Sequence, residues 1–201
     1  MKVNYQLMCD EQINQILQSN KVPKLLLHSC CGPCSSYVLK YLSEYFDISV
    51  LFFNPNIFPQ EEYEKRLVTQ KEVLEKMNLP RPVSLIGLPY AHDEFTATSE
   101  NLEEEPEGGA RCVECFRLRL EKTAFEASER CFDFFTTTLS VSPHKNADLL
   151  NRIGREMMEK YGVEYLFSDF KKREGYKKSI ELSKELELYR QEYCGCEFSL
   201  R

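Results

Sequence analysis

The sequence predicts an α/β domain, with a five-stranded parallel sheet covered by helices on both faces. Three observations predict it. Five short apolar runs of strand length recur along the chain, and segments of helical periodicity separate them. The chain has 201 residues, 42% hydrophobic and 29% charged, which suffices for one well-cored domain and little more. No internal repeat and no low-complexity linker interrupts the alternation.

Residues 1–23 read as an N-terminal helical extension, a short polar helix over about 10–20 leading to Val22-Pro23. The domain proper spans 24–201. Lys24-Leu25-Leu26-Leu27-His28 is an apolar run ended by Gly32-Pro33, as expected of a buried parallel strand. Pro33 suits a first helical turn, and Tyr37, Val38, Tyr41, Leu42 and Tyr45 follow at helical spacing. Ile48 to Phe53 is the second strand, closed by Asn54-Pro55-Asn56. A charged helix at about 60–78 leads to a third strand at Val83-Ser84-Leu85-Ile86. Residues 100–110 form a polar, exposed loop. From Cys112 to about Arg130 a helix carries Phe116, Leu120, Ala124 and Ala127 on one stripe. Phe132 to Leu139 is the fourth strand, a helix around 146–161 ends at Gly162, and Val163 to Phe167 is the fifth strand. A helix at about 175–188 precedes a cysteine-bearing tail.

No apolar run approaches the roughly 20 residues that cross a bilayer. Met1-Lys2-Val3-Asn4-Tyr5-Gln6 lacks the apolar core of a secretion signal, so a cytoplasmic location is expected. A net charge of −6 disfavours indiscriminate binding to polyanions. A local basic surface is compatible with it: Lys171-Lys172-Arg173 and Lys177-Lys178 form one stretch, and Arg111, Arg117 and Arg119 flank a cysteine pair.

Seven of the nine cysteines fall into three groups, Cys30-Cys31-Gly32-Pro33-Cys34, Cys112-Val113-Glu114-Cys115 and Cys194-Gly195-Cys196. In an intracellular chain such groups read as metal ligands or redox thiols before structural disulfides, and an odd count excludes complete pairing. Cys30 and Cys31 follow the first strand, where open parallel sheets bind ligands. Cys112 and Cys115 share one face of a helical turn. Helix N-termini near both pairs favour thiolate over thiol. Together the four make a complete ligand set for a [4Fe–4S] cluster or a zinc ion, and spacing alone does not decide between them. Cys34, Cys194 and Cys196 are then left for a second metal, or Cys194 and Cys196 for a dithiol–disulfide pair. Cys9 and Cys131 read as structural or incidental thiols. His28 is a donor to a ligand or a satisfied core histidine, and His92 and His144 lie in loops. Cys30-Cys31 stands where a nucleotide-activating relative of this architecture would carry glycines, which disfavours ATP-dependent chemistry.

Several segments carry a family resemblance. Leu25 to Cys34, Phe53-Asn54-Pro55-Asn56-Ile57, Cys112 to Leu120, Phe135 to Lys145, Asp169-Phe170-Lys171-Lys172 and Tyr189 to Cys196 occur in this order. The pattern resembles the cobalamin-independent epoxyqueuosine reductases known as QueH, from about residue 24 to the C-terminus. The resemblance implies an adenine-nucleotide-hydrolase-like (HUP-type) sheet. It also implies reduction of epoxyqueuosine to queuosine at the wobble position of tRNA, the last step of queuosine biosynthesis. A [4Fe–4S] cluster on Cys30, Cys31, Cys112 and Cys115 is implied, with an adjacent second iron. Cys34, Cys194 and Cys196 would serve that iron, or the last two would form a redox-active disulfide.

The expected partners are therefore tRNA carrying epoxyqueuosine and an external, low-potential electron donor. Turning an epoxide into an alkene takes two electrons and two protons. Asp169, His144 and Lys145, at predicted strand ends, are candidates to protonate the departing oxygen. Lys171, Lys172, Arg173 and Lys178 are candidates for anticodon-arm phosphates, with the modified base entering the crevice from its single-stranded loop.

Overall fold

The computed structural model describes residues 3–19 and 21–199. Helix α1 (Tyr5–Gln18) precedes β1 (Lys24–His28), α2 (Gly32–Leu42), β2 (Asp47–Phe52), α3 (Gln60–Lys76) and β3 (Ser84–Gly87). Then come α4 (His92–Thr98), α5 (Ala110–Glu129), β4 (Phe134–Thr137), α6 (Ala147–Tyr161), β5 (Glu164–Tyr165) and α7 (Gly175–Glu185). The strands lie in the order β3-β2-β1-β4-β5, and every pair is parallel. The expected five-stranded parallel α/β sheet is therefore present. The chain leaves β1 toward β2 on one side and returns to place β4 on the other. That switch opens a crevice beyond the carboxyl ends of β1 and β4.

The three leucines of β1 explain its central place. Leu26 faces one core with Phe135, Phe116, Leu120 and Ile153, whereas Leu25 and Leu27 face another with Val38, Leu39 and Val50. All three are fully buried. A strand apolar on both faces is stable only when helices cover both. Truncating one such leucine to alanine costs about 2–5 kcal/mol.

Helix α1 is part of this packing. Cys9, Ile13 and Ile16 enter the second core, and Tyr5 enters the first. Gln12 donates from Nε2 to the Tyr165 carbonyl at 3.0 Å and accepts the Phe167 N–H at 2.9 Å. Its amide thus supplies the hydrogen bonds of a neighbouring strand and covers the exposed edge at β5.

Three elements differ from expectation. Strand β4 stops at Thr137, whose Oγ1 accepts the Leu139 N–H at 3.1 Å and starts a 3-10 turn over Thr138–Val141. Strand β5 has only two residues, and the Leu166 carbonyl just beyond it accepts the Thr136 hydroxyl of β4 at 2.9 Å. Helix α4 was not expected: with Phe95 its one buried residue, it is too short to show a period. No described helix is long and apolar enough to cross a membrane.

Candidate metal centre

The first cysteine group is held by buried polar contacts below it. Asn54 Nδ2 donates to the Ser29 carbonyl at 2.8 Å, and the hydroxyls of Ser29 and Ser35 both donate to Gln70 Oε1, at 2.6 and 2.9 Å. Gly32 lies so close to α3 that an added Cβ would stand 2.8 Å from Thr69 Cγ2 and 3.0 Å from the Thr69 carbonyl. Only glycine lets α2 start there. The sulfurs of Cys30, Cys31 and Cys34 consequently lie within 4.8 Å of one another, a spacing able to hold a metal ion. Hydrogen bonds from Cys31 and Cys34 hold the Cys30 thiol well below its usual pKa, with further help from the Lys145 charge and the Thr138 hydroxyl. Its partners move the other way: Cys31 is pushed up to about 11, and Cys34 is raised too.

His28 supports this turn from beneath. Its Nε2 lies 3.1 Å from the Phe53 carbonyl, which can only accept, so Nε2 carries the proton and Nδ1 accepts from the Thr137 hydroxyl at 2.8 Å. Burial, aided by the Arg119 charge, lowers its pKa to about 4 and keeps it neutral. His28 ties β1 to its two neighbours and does not line the crevice.

Cys112 and Cys115 occupy the first turns of α5, where Cys112 Sγ accepts the Gly108 N–H at 3.2 Å. Cys115 is buried beside Phe95 and Cys196, with Cys194 and Phe198 packed against them, and burial raises its thiol pKa. The third group sits in the tail. Phe58 N–H donates to the Gly195 carbonyl at 2.9 Å, and Arg66 Nη1 donates to the Cys194 carbonyl at 3.0 Å. A hydrogen bond from Cys196 holds the Cys194 thiol at about 4 and raises that of Cys196.

These elements enclose one cavity of about 750 Å³, lined by Cys30, Cys34, Cys112, Cys115, Cys194 and Cys196. No disulfide joins any of the nine cysteines in this structure. Such a dense set of soft donors suits iron–sulfur clusters and thiophilic metals. Residues 25–201 also match the family model described as epoxyqueuosine reductase QueH. The chain belongs to the QueH family. The protein of that name from Staphylococcus epidermidis is 43% identical over 202 residues, covering 98% of this chain and 85% of the relative. The Streptococcus pyogenes relative is 40% identical over 203 residues, covering 100% and 79% respectively. The relative from Thermotoga maritima is 39% identical over 180 residues, covering 88% and 90%.

In this QueH-family chain the other expected site residues fall in different places. Asp169 does not line the cavity, and its carboxylate is ion-paired with Lys171 Nζ at 2.8 Å. Lys145 and His144 do line it, and the Lys145 charge acts on Cys30, Cys115 and Cys194. Of the basic stretch, Lys171 is held by Asp169 and Arg173 by Asp10. Lys172 and Lys178 are exposed, with no ion pair among the described residues. None of these four cations lines the cavity. His92 contacts the Pro55 carbonyl through Nδ1 at 2.8 Å and Glu197 through Nε2 at 3.2 Å, bracing the tail.

Sequence reasoning missed Arg66. Its side chain is 2% exposed, paired with Glu62 at 2.6 Å, and bonded to the tail. The i, i+4 spacing of Glu62 and Arg66 was legible as a helical ion pair, but its burial and its reach to the tail were not.

Proposed function

We propose that the protein reduces epoxyqueuosine at the wobble position of tRNA to queuosine, releasing the epoxide oxygen as water. The observation that carries this is the convergence of three sequence-distant cysteine groups on one cavity. Family membership supplies the substrate, since the relatives are named epoxyqueuosine reductase.

Cys30, Cys31, Cys112 and Cys115 would hold a [4Fe–4S] cluster. Bound there, the cluster supplies electrons one at a time. Removal of the epoxide oxygen takes two electrons and two protons, so a two-electron store beside it is useful. Cys194 and Cys196 suit that role, because closing the disulfide from a Cys194 thiolate and a Cys196 thiol releases two electrons and one proton, leaving the second proton to another donor, and an external low-potential donor restores the reduced pair. Cys194, held as thiolate by Cys196, is the more readily oxidised sulfur.

Lys145 is the proton donor in this scheme. Its ammonium belongs to the cavity wall, within electrostatic reach of all three cysteine groups. A proton from Nζ passes to the oxygen as the carbon–oxygen bond breaks. The cavity has room for a nucleoside and none for a duplex, so the wobble nucleotide enters splayed from its loop. In a second reading, Cys34, Cys194 and Cys196 bind a second iron; their presence on the same wall favours it.

The test is anaerobic purification with iron and acid-labile sulfide analysis, followed by turnover of epoxyqueuosine tRNA. Cys194→Ser separates the two tail roles. Lost activity with unchanged iron and sulfide assigns the redox pair, and loss of iron in excess of sulfide assigns the second iron. A colourless protein that takes zinc but no iron and sulfide overturns the function.

A further inference from the structure

Three arginines line the cavity nearly out of contact with solvent: Arg66 is 2% exposed, Arg111 2% and Arg119 4%. Two of them have obvious partners. Arg66 pairs with Glu62, and Arg111 Nη1 donates to the carbonyls of Leu102, Glu103 and Glu105 at 2.9, 3.0 and 2.6 Å. Arg119 is different. Its side chain's one hydrogen bond among the described residues runs from Nε to the Cys115 carbonyl at 3.2 Å, and its guanidinium lies 5.6 Å from the Phe116 ring. No carboxylate lies within ion-pair distance of it among the described residues.

A buried cation with neither a counter-ion nor, as at Arg111, a set of carbonyl acceptors is strongly unfavourable, so an anion in the cavity would stabilise it. Its cavity wall holds six cysteines, Cys115 nearest to it in the chain, together with Glu107 and Glu192, neither of which pairs with Arg119 among the described residues. Arg119 stands four residues after Cys115 on α5, hence on the same helix face and one turn deeper.

We propose that Arg119 is the counter-cation of the cysteine centre and a determinant of its reduction potential. This rests on the cluster proposed above. Four thiolates around an oxidised [4Fe–4S] core leave a net negative centre, and a one-electron reduction makes it more negative still. A fixed positive charge in a poorly solvated wall favours the reduced form over the oxidised one. Arg119 is a positioning residue in this role: it acts on the substrate only through the centre.

The experiment is a mediated redox titration of the anaerobic, cluster-loaded protein without tRNA, with iron and sulfide measured on every sample. In Arg119→Met the oxidised-to-reduced ratio at a given potential rises at least tenfold, a fall in midpoint of about 59 mV for one electron. Arg119→Lys, which keeps the charge, stays within threefold of the parent. Arg117→Gln is the control. Arg117 is 35% exposed and already paired with Glu156, so its removal shifts the ratio less than twofold.

Loss of the cluster from folded Arg119→Met, with retention in Arg119→Lys, also supports the counter-charge. Equal midpoints in all variants overturn it, as does an equal shift in Arg117→Gln. A role in gripping a tRNA phosphate predicts no shift without tRNA, which is one of those overturning results. If Arg119→Met does not fold, Arg119→Gln preserves a polar group for the Cys115 carbonyl and is titrated instead. Unfolding of both assigns Arg119 to the fold and overturns the proposal. Failure of the parent protein to bind iron and sulfide is a separate result, which overturns the proposed function first.

Discussion

Arg66 Nη1 donates to the Cys194 carbonyl at 3.0 Å, joining helix α3 to a cysteine loop 128 residues further along the chain. Nη2 reaches the Tyr193 carbonyl at 3.4 Å, and Nε is paired with Glu62. Glu62 in turn accepts the Tyr189 hydroxyl at 3.0 Å. The tail is therefore positioned by a buried charge whose partners lie both on α3 and in the C-terminal segment. Backbone bonds alone, such as Phe58 N–H to the Gly195 carbonyl, would fix its height but not its register.

Arg66→Met should release this loop. It leaves Glu62, 12% exposed, without its cation, a kind of loss that costs about 3–5 kcal/mol. Urea unfolding checks the stability. Thiol labelling followed by mass spectrometry checks the position: Cys194 and Cys196 should label faster while Cys9 stays protected. Unchanged labelling of both tail cysteines would remove Arg66 from that role.

Gly195→Ala tests the same loop from its backbone. Gly195 has φ of +103°, a region L side chains rarely adopt, and an added Cβ would stand 2.9 Å from Arg66 Nη1 and 3.0 Å from Ile57 Cγ1. Strain of this kind costs about 1–3 kcal/mol. Epoxyqueuosine tRNA turnover should fall at least tenfold while iron and sulfide content matches that of the parent protein. Full turnover in the alanine variant would show that the loop tolerates displacement.

The fold was legible because β1, β2 and the stripe on α5 are apolar in periods that helices and strands must obey. The cysteine groups were legible because thiols at such spacing have few other uses. What sequence could not supply was partnership across the chain. Asp169 and Lys145 both follow strands, yet Asp169 is turned to Lys171 whereas Lys145 joins the cavity wall. Arg173 reads as a phosphate ligand in the sequence, yet Asp10 of α1 lies against it. Helix α1 reads as a polar extension; Tyr5, Cys9, Ile13 and Ile16 do repeat at helical spacing, but nothing in the sequence says that this stripe joins the two cores of the domain. Each of these outcomes depends on side chains far apart in sequence.

Gly154→Ala probes the packing of α6 on β5. The added Cβ would press on Cε1 and Cζ of the Tyr165 ring, well inside van der Waals contact, and Tyr165 is fully buried between Phe135 and Phe167. Overpacking at such a site costs about 1–3 kcal/mol. For a chain of this size each kcal/mol lowers Tm by about 2–4 °C. Calorimetry should thus show a clear drop, and Gly154→Ala combined with Tyr165→Leu should recover part of it. An unchanged Tm in the single variant would contradict the packing.

Lys145→Met tests the proton donor. Turnover should fall about 10²–10⁴-fold, the usual range for loss of a general acid. Iron and sulfide content should be unchanged, and tRNA affinity should change little. A variant that binds tRNA poorly yet turns over normally at saturation would place Lys145 in substrate binding instead. Asp169→Asn is the companion: it breaks the pair with Lys171 without removing any group from the cavity wall, so turnover per folded molecule should stay within a few-fold of the parent.

The basic stretch divides in the same way. Arg173 is committed to Asp10 and Lys171 to Asp169, which leaves Lys172 and Lys178 as its exposed cations without an ion pair among the described residues. Each phosphate neutralised releases condensed counterions, so log K against log salt steepens by about 0.7–0.9 per contact. Measured on an anticodon stem-loop, Lys172→Ala and Lys178→Ala should each flatten that slope by about this amount and weaken binding most at low salt. Arg173→Ala should leave the slope nearly unchanged and instead lower stability slightly, because it leaves Asp10 on α1 with its bonds from Gln6 and Tyr41 but without its cation. If Arg173→Ala flattens the slope as much as the lysine variants do, the Asp10 pair opens on binding and Arg173 joins the phosphate ligands.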